Sequence, residues 1–178
     1  MTSPTRSGYG SKLFSAWRYF SEGSKEERIE NPSFILNQRE FRNARILLAG
    51  ENFGCGSSRE PAVWAVRQFG IRCISAPSFG TIFQNNCVIN GVLPALLHRE
   101  AIECLSADAG KRHLTVDLEH CTVSIHHGPS FVFSIAAGHR KTLLRGQDAV
   151  TLTKNYASQI SDFHRRDALL RPWASAPQ

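Results

Sequence analysis

The chain has 178 residues, of which 42% are apolar and 20% charged. That is one ordinary domain's worth of chain with enough apolar content for a core, and it argues against a disordered, collagen-like or zippered chain. The charge is +6, from 21 Lys and Arg against 15 Asp and Glu, which suits solubility, nucleic acid or a small anion. The longest apolar runs, such as Ile46–Gly50, fall far below the ~20 residues of a membrane span. No apolar stretch follows Met1–Arg6, so a cytoplasmic protein is expected.

In chain order, residues 1–10 are rich in Ser, Thr, Pro and Gly and are expected to be loose. Lys12–Phe20 carries Leu13, Phe14, Trp17 and Phe20 at helical spacing. A polar loop follows, and Pro32–Phe41 is expected to hold a short helix. Arg45–Ala49 suits a buried strand. A glycine-bearing loop, Gly50–Gly56, leads to a helix from about Glu60 to Phe69. Ile71–Ala76 is a second strand, and Ser78–Asn86 a second helix with Phe79, Ile82 and Phe83 inward. Gly91–Leu97 is a third apolar run, broken by Pro94. This β-loop-α-β-α-β order predicts an α/β core. The period then changes: His113–Leu118, Cys121–His126 and Ser130–Ile135 alternate apolar and polar residues across short turns, the pattern of an antiparallel meander. Arg140–Gly146 and Asp148–Leu170 read as helices, with Ile160 and Phe163 as inward residues. The expected organisation is a single domain over 11–170 and a tail over 171–178.

Cys55, Cys73, Cys87, Cys104 and Cys121 make an odd count without a CxxC or CxH pair. A disulfide framework is not expected, nor a zinc or iron–sulfur site built by this chain alone. His126-His127 is expected at a hairpin end, and Asn85 and Asn86 at a helix end. Trp17, Phe20 and Phe79 are expected in the core.

The segment that carries chemistry is Ala49–Glu60, between a strand and a helix, where open α/β sheets place ligands. Gly54 and Gly56 let the backbone turn and approach a ligand. Ser57-x-x-Glu60 matches a capping box, with Ser57 as N-cap. A helix N-terminus offers N–H groups and positive potential to an anion, and Arg59 adds a planar cation. The competing reading is a plain cap and turn. The loop is neither a Walker loop nor a Rossmann fingerprint nor a Gly-x-Ser-x-Gly elbow. Cys55 has no identifiable partner histidine and reads as a small loop thiol.

Glu51-Asn52-Phe53-Gly54-Cys55-Gly56-Ser57-Ser58-Arg59-Glu60 resembles the signature of the small subunit of 3-isopropylmalate dehydratase. The resemblance continues through Ala76–Phe79, Ile82–Asn86 and Asn90–Pro94, and through Phe14–Tyr19, Asn31–Asn37 and Leu114–Glu119, so it spans roughly Gly8 to Trp173. It implies an aconitase-like swivelling β/β/α domain working with a large subunit that carries a [4Fe–4S] cluster, with no cofactor in this chain. The implied reaction interconverts 2- and 3-isopropylmalate by dehydration and rehydration, in leucine biosynthesis. Ser57 would be the base that removes the proton beside a carboxylate. Arg59 would hold a substrate carboxylate, Ser58 would donate a hydrogen bond, and Gly54 and Gly56 would bring backbone N–H groups to the substrate. The partner's cluster would act as a Lewis acid on the departing hydroxyl.

Two departures accompany the resemblance. Where the family motif continues Ser-Arg-Glu-His, this chain has Pro61, which belongs best at a first helical position. The helix is therefore expected to start nearer Glu60. The family's opening strand and its Asp-Thr-Asp segment are absent before Gly8-Tyr9-Gly10, which is expected to expose a sheet edge. These departures motivate two alternatives, a non-catalytic assembly or regulatory subunit and a sister substrate such as homoaconitate or a methyl-substituted malate. A nucleic-acid reading has only the basic charge behind it, with no RRM, KH or zinc-finger pattern.

Overall fold

The computed structural model describes residues 7–20, 28–56, 59–146 and 149–174. By backbone proximity the chain forms two compact units, residues 1–144 and 145–178.

The first unit is built on two three-stranded sheets. β1 (Ile46–Leu48), β2 (Cys73–Ala76) and β3 (Leu93–Leu96) form a parallel sheet in that order, with Ile46 opposite Cys73 and Cys73 opposite Leu93. β4 (Leu114–Asp117), β5 (Thr122–Ile125) and β6 (Ser130–Val132) form an antiparallel meander, with Leu114 opposite Ile125 and Thr122 opposite Val132. The sequence reading of three strands followed by a meander holds, with shorter strands than expected, but β1, expected to be buried, is half-buried at all three residues.

The pleat explains the layers. Ile74 points into one core with Val63, Val66, Phe83, Cys87 and Val92. These come from the helices α2 (Pro61–Phe69) and α3 (Thr81–Ile89) and the turn that follows. Its neighbour Cys73 points the opposite way, into a second core with Leu93, Ala95, Val123, Ile125 and Phe133. Helices α2 and α3 therefore cover one face of the parallel sheet, and the meander together with the helix over Arg99–Ala107 covers the other, a β/β/α arrangement. Because both faces are covered, β2 is buried at every residue, as its unbroken apolar run requires.

Pro94 sits inside β3 without cost to the sheet. Leu93 N–H donates to Arg72 O at 2.9 Å and Leu97 N–H to Ala76 O at 3.1 Å, so the odd-numbered residues face β2. The missing N–H of Pro94 points to the other edge. There Leu96 and Ser134 exchange backbone bonds of 3.1 and 2.9 Å, which ties the two sheets together.

Several elements differ from the sequence expectation. No helix spans Lys12–Phe20: a 3₁₀ turn (Gly10–Lys12) is followed by α1, only Ser15–Arg18. Between them Phe14 takes φ +51°, which breaks the helix and aims its ring at Phe34 and Phe53. Leu13 enters the core, whereas Trp17 (64% exposed) and Phe20 (67% exposed) do not. Phe79 is half-buried and packs on the first core. The buried cation is Arg18, 7% exposed: its Nε donates to Asn37 Oδ1 at 3.1 Å, and Asn37 Nδ2 donates to Arg18 O at 2.7 Å. Pro32–Phe41 holds only a 3₁₀ turn, Ile35–Asn37. The second helix begins at Thr81 and runs to Ile89, which places Asn85 and Asn86 inside it. A further helix, α4 (Arg99–Ala107), has no counterpart in the sequence reading. It buries Ala101 and Leu105 in the second core. His126 and His127 do lie at the hairpin end after β5, with Gly128 N–H closing on Ile125 O at 2.9 Å. Ahead of α1, Tyr9 N–H donates to Gln68 Oε1 at 2.7 Å, and the Tyr9 ring meets Trp64 edge-on.

Helix α5 (Ala137–Arg145) closes the first unit, and Arg140 Nε from it donates to Leu118 O at 3.1 Å. The second unit contains α6 (Ala149–Lys154) and α7 (Ala157–Leu170). Ile160 and Phe163, expected inward, are exposed, as are Leu169 and Leu170.

Candidate active site

The loop from Gly50 to Glu60 leaves the carboxyl end of β1 and enters α2. Its course is set by the segment after β2. Asn52, at φ +56°, donates its N–H to Ser78 Oγ at 2.7 Å. Phe53 N–H donates to Ser78 O at 3.0 Å, and Gly80 N–H to Phe53 O at 2.9 Å, forming a one-residue parallel bridge between Phe53 and Phe79. The Phe53 ring is held edge-on by Phe79 and Phe83, with centroids 6.4 and 5.5 Å away, and by Phe14 at 6.5 Å. One turn later the chain has no room for a side chain. Gly54 has φ +80°, and a Cβ there would fall 2.2 Å from Phe83 Cγ. Opposite it, a Cβ on Gly80 would fall 3.0 Å from Cys55 Cα. The two glycines let the loop lie flat against the start of α3.

Gly56 differs from Gly54. It faces open space, with nothing within 4 Å of a Cβ. Among the described residues, the N–H groups of Gly54 and Gly56 have no hydrogen-bond acceptor. Two backbone donors are thus available on the loop, which is what a bound carboxylate uses. Cys55 between them is exposed.

The start of α2 corrects the capping-box expectation. The helix begins at Pro61, with Glu60 at the N-cap position (φ −53°, ψ −34°) and Pro61 at the first helical position, so Ser57 is not the N-cap. Proline there gives up an N–H that has no intrahelical acceptor anyway, and its fixed φ suits the first turn. The departure at Pro61 is therefore accommodated by moving the helix start. The first amides are also less available than expected. Ala62 N–H donates to Arg59 O at 3.1 Å, and Val63 N–H to Glu60 O at 2.9 Å. Any anion at this end relies on the loop amides, the helix dipole and Arg59 rather than on unpaired helix N–H groups.

The Glu60 side chain accepts from Asn90 Nδ2 at 3.0 Å, and Asn90 Nδ2 also lies 2.9 Å from Asn86 O. Asn90 is buried at the C-terminal end of α3, so this amide ties the start of one helix to the end of the other. At the far side of the loop, Arg99 of α4 donates to Glu51 Oε1 at 2.7 Å. Both side chains are more than half exposed, so the pair orients the loop more than it stabilises it.

Of the sequence-predicted site residues, Gly54, Gly56 and Arg59 lie on this loop, with Arg59 exposed immediately before Glu60. Ser57 and Ser58 lie outside the described residues. The sequence reading missed Ser78, Gly80, Asn90 and Arg99. Ser78-Phe79-Gly80 after a strand was a legible turn signal. Asn90 and Arg99 carried none, because their partners are 30 and 48 residues away. Among the described residues, no three His, Cys, Asp or Glu side chains gather as a metal-ligand set. The thiols are scattered: Cys73 and Cys87 are buried, and Cys55 and Cys104 are exposed. The described part of this chain does not fit an iron–sulfur cluster.

Residues 3–100 match the aconitase C-terminal domain family. A 3-isopropylmalate dehydratase small subunit from Cupriavidus necator is 46% identical over 95% of this chain and 82% of its own length. The chain belongs to the 3-isopropylmalate dehydratase small-subunit family. Another member, from Cereibacter sphaeroides, is 47% identical over 94% of this chain and 83% of its own length. Among solved structures, 3-isopropylmalate dehydratase from Methanocaldococcus jannaschii superposes with a TM-score of 0.53 at 30% identity, covering 66% of this chain and 68% of that one. The small-subunit family thus shares the α/β architecture with its parallel and antiparallel sheets.

Proposed function

We propose that this chain is the small subunit of a hydro-lyase that interconverts 2- and 3-isopropylmalate in leucine biosynthesis, working in the cytoplasm with a large subunit that carries the [4Fe–4S] cluster. The observation that carries the reading is the loop from Glu51 to Glu60: it carries two glycine N–H groups with no acceptor among the described residues and an exposed Arg59, on a chain 46% identical to a small subunit over nearly its whole length.

This chain's part is to hold the dicarboxylate and move a proton. Arg59 pairs with one substrate carboxylate, bidentate where the planes align. The N–H groups of Gly54 and Gly56 and the hydroxyl of Ser58 add hydrogen bonds to the substrate. The Ser57 oxygen takes the proton from the carbon beside a carboxylate, and the hydroxyl on the neighbouring carbon departs to leave an alkene. The partner's cluster would supply the Lewis acidity for that departure; return of hydroxide to the carbon that gave up its proton, with the Ser57 proton delivered to the neighbouring carbon, completes the isomerisation. A serine oxygen is a weak base, so it relies on the positive end of α2 and the Arg59 guanidinium.

Reconstitution with a cluster-bearing large subunit tests the reading. The complex should isomerise isopropylmalate, and neither chain alone should. Ser57→Ala should lower kcat by about 10²-fold or more, the scale of general acid–base catalysis. Arg59→Lys should raise KM, because a point charge replaces a fork. Full turnover with Ser57→Ala would overturn the role of Ser57. Faster turnover of a methyl-substituted malate would reassign the substrate.

A further inference from the structure

Beside the C-terminal turn of α2 and the end of α3 lies a cavity of about 350 Å³, at the small end of the range for ligand sites. It is lined by Trp64, Arg67 and Gln68 of α2, by Arg72 ahead of β2, and by Asn90 after α3. None of these residues lies on the Gly50–Glu60 loop, and no carboxylate lines the cavity. Both arginines are permanently charged. Arg67 is exposed, and its side chain makes no hydrogen bond or ion pair among the described residues. Arg72 is held in place: its Nη1 donates to Arg67 O at 2.8 Å and to Ile71 O at 2.9 Å, which folds the guanidinium back over the end of α2. Its Nε and Nη2 have no acceptor among the described residues.

The remaining polar group has the opposite sense. Asn90 is 6% exposed, and its Nδ2 is spent on Glu60 Oε1 at 3.0 Å and Asn86 O at 2.9 Å. Both of those partners are acceptors, so the orientation of the amide is fixed and Oδ1 is the end left over. No described residue donates to Oδ1, and the atom is not sealed from solvent, so it opens into the cavity that Asn90 lines. A ligand that satisfies the lining therefore needs an anionic fork acceptor and a hydrogen-bond donor. The helix dipoles sharpen the second requirement, because the cavity adjoins two C-terminal ends, where positive charge is favoured. A bare oxyanion uses the arginines but meets Asn90 Oδ1 and the negative helix ends.

We propose that this cavity binds a zwitterionic α-amino acid with an apolar side chain. The carboxylate lies on Arg67 and Arg72, the ammonium donates to Asn90 Oδ1, and the side chain rests on Trp64 and the arginine stems.

Calorimetric titration of the full chain with L-leucine tests the site. Two partial probes accompany it: 4-methylpentanoate, which lacks the ammonium, and 3-methylbutylamine, which lacks the carboxylate. L-Leucine should bind saturably at one site per chain, and each partial probe at least tenfold more weakly. Arg67→Glu, on an exposed side chain without a described partner, should leave Tm unchanged and weaken L-leucine at least tenfold. Arg59→Ala should leave L-leucine binding unchanged, which separates this cavity from the carboxylate-binding loop. Absence of saturable L-leucine binding would overturn the proposal. Equal binding of 4-methylpentanoate would overturn it by showing that only the carboxylate is read. Binding that survives Arg67→Glu and is lost with Arg59→Ala would overturn it by placing the ligand on the loop.

Discussion

Gly54 shows how a single position sets the loop. Its φ of +80° disfavours any L side chain, and Phe83 occupies the space a Cβ would need, at 2.2–2.7 Å. Phe83 cannot withdraw, because it is buried in the first core and supports the Phe53 ring. Gly54→Ala is therefore expected to cost about 1–3 kcal/mol, from left-handed strain plus overpacking, and to lower Tm by several degrees. Gly56→Ala is the control, since a methyl group there meets nothing within 4 Å. The two variants should separate in calorimetry, with Gly54→Ala clearly destabilised and Gly56→Ala close to the parent. If Gly56→Ala then loses substrate affinity at unchanged Tm, its openness serves ligand approach. The same scale explains a failure of aromatic reasoning. Helical spacing put Leu13, Phe14, Trp17 and Phe20 on one face, but the left-handed backbone at Phe14 divides them. Leu13 and Phe14 turn inward while Trp17 stacks on Phe14 from outside at 5.9 Å. Spacing cannot reveal a φ sign change at a bulky residue, which is uncommon in any sequence.

At the scale of elements, sequence pattern carried the sheets and lost the joints between them. β2 and β5 were legible because burial on two faces or on one imposes an unbroken or an alternating apolar pattern. α4 was not, because Ala101, Ile102 and Leu105 form a short stripe between charged residues, without a side-chain cap to announce the start. The capping box was legible and misleading. Pro61 outweighs Ser57 as a start signal, since proline fits the first turn and disrupts the middle of a helix. What replaces the cap is the Glu60–Asn90 bond, a contact between helix ends that no local pattern encodes. Removing it should be felt in both helices. Asn90→Ala leaves the Glu60 carboxylate without this donor and Asn86 O without its side-chain bond, so about 1–3 kcal/mol of stability should be lost. Because Glu60 adjoins Arg59, the same variant should raise KM for the dicarboxylate in the reconstituted complex. A loss of stability with KM unchanged would show that the joint holds the fold and not the site.

For the whole molecule, titratable groups give a stability curve with two limbs. On the acid side Glu30, Asp108 and Asp117 are held below the ordinary carboxylate range, mainly by hydrogen bonds from Arg42, Arg112 and the His120 backbone respectively. Lowered carboxyl values stabilise the fold above the unfolded-state value near 4 and lose that contribution as pH falls through the folded values. All three are partly exposed and screened by solvent, so this limb is shallow. The alkaline limb comes from the interior. Burial pushes the thiols of Cys73 and Cys87 from 9.0 up to about 12. Unfolded thiols ionise from about pH 8.5 and release protons that the folded ones retain. The folded state then binds more protons, so stability falls as pH rises from about 9 toward 12. Each thiol contributes a slope of about 1.4 kcal/mol per pH unit within that window. Cys73→Ala with Cys87→Ala should lower stability at pH 7, through two small cavities, and should flatten the decline above pH 9. Urea unfolding of parent and double variant at pH 7, 9 and 10 measures both effects, and the parent's disadvantage should appear only as the difference in slope. Parallel curves would mean that these thiols reach water through a local opening before the fold as a whole gives way.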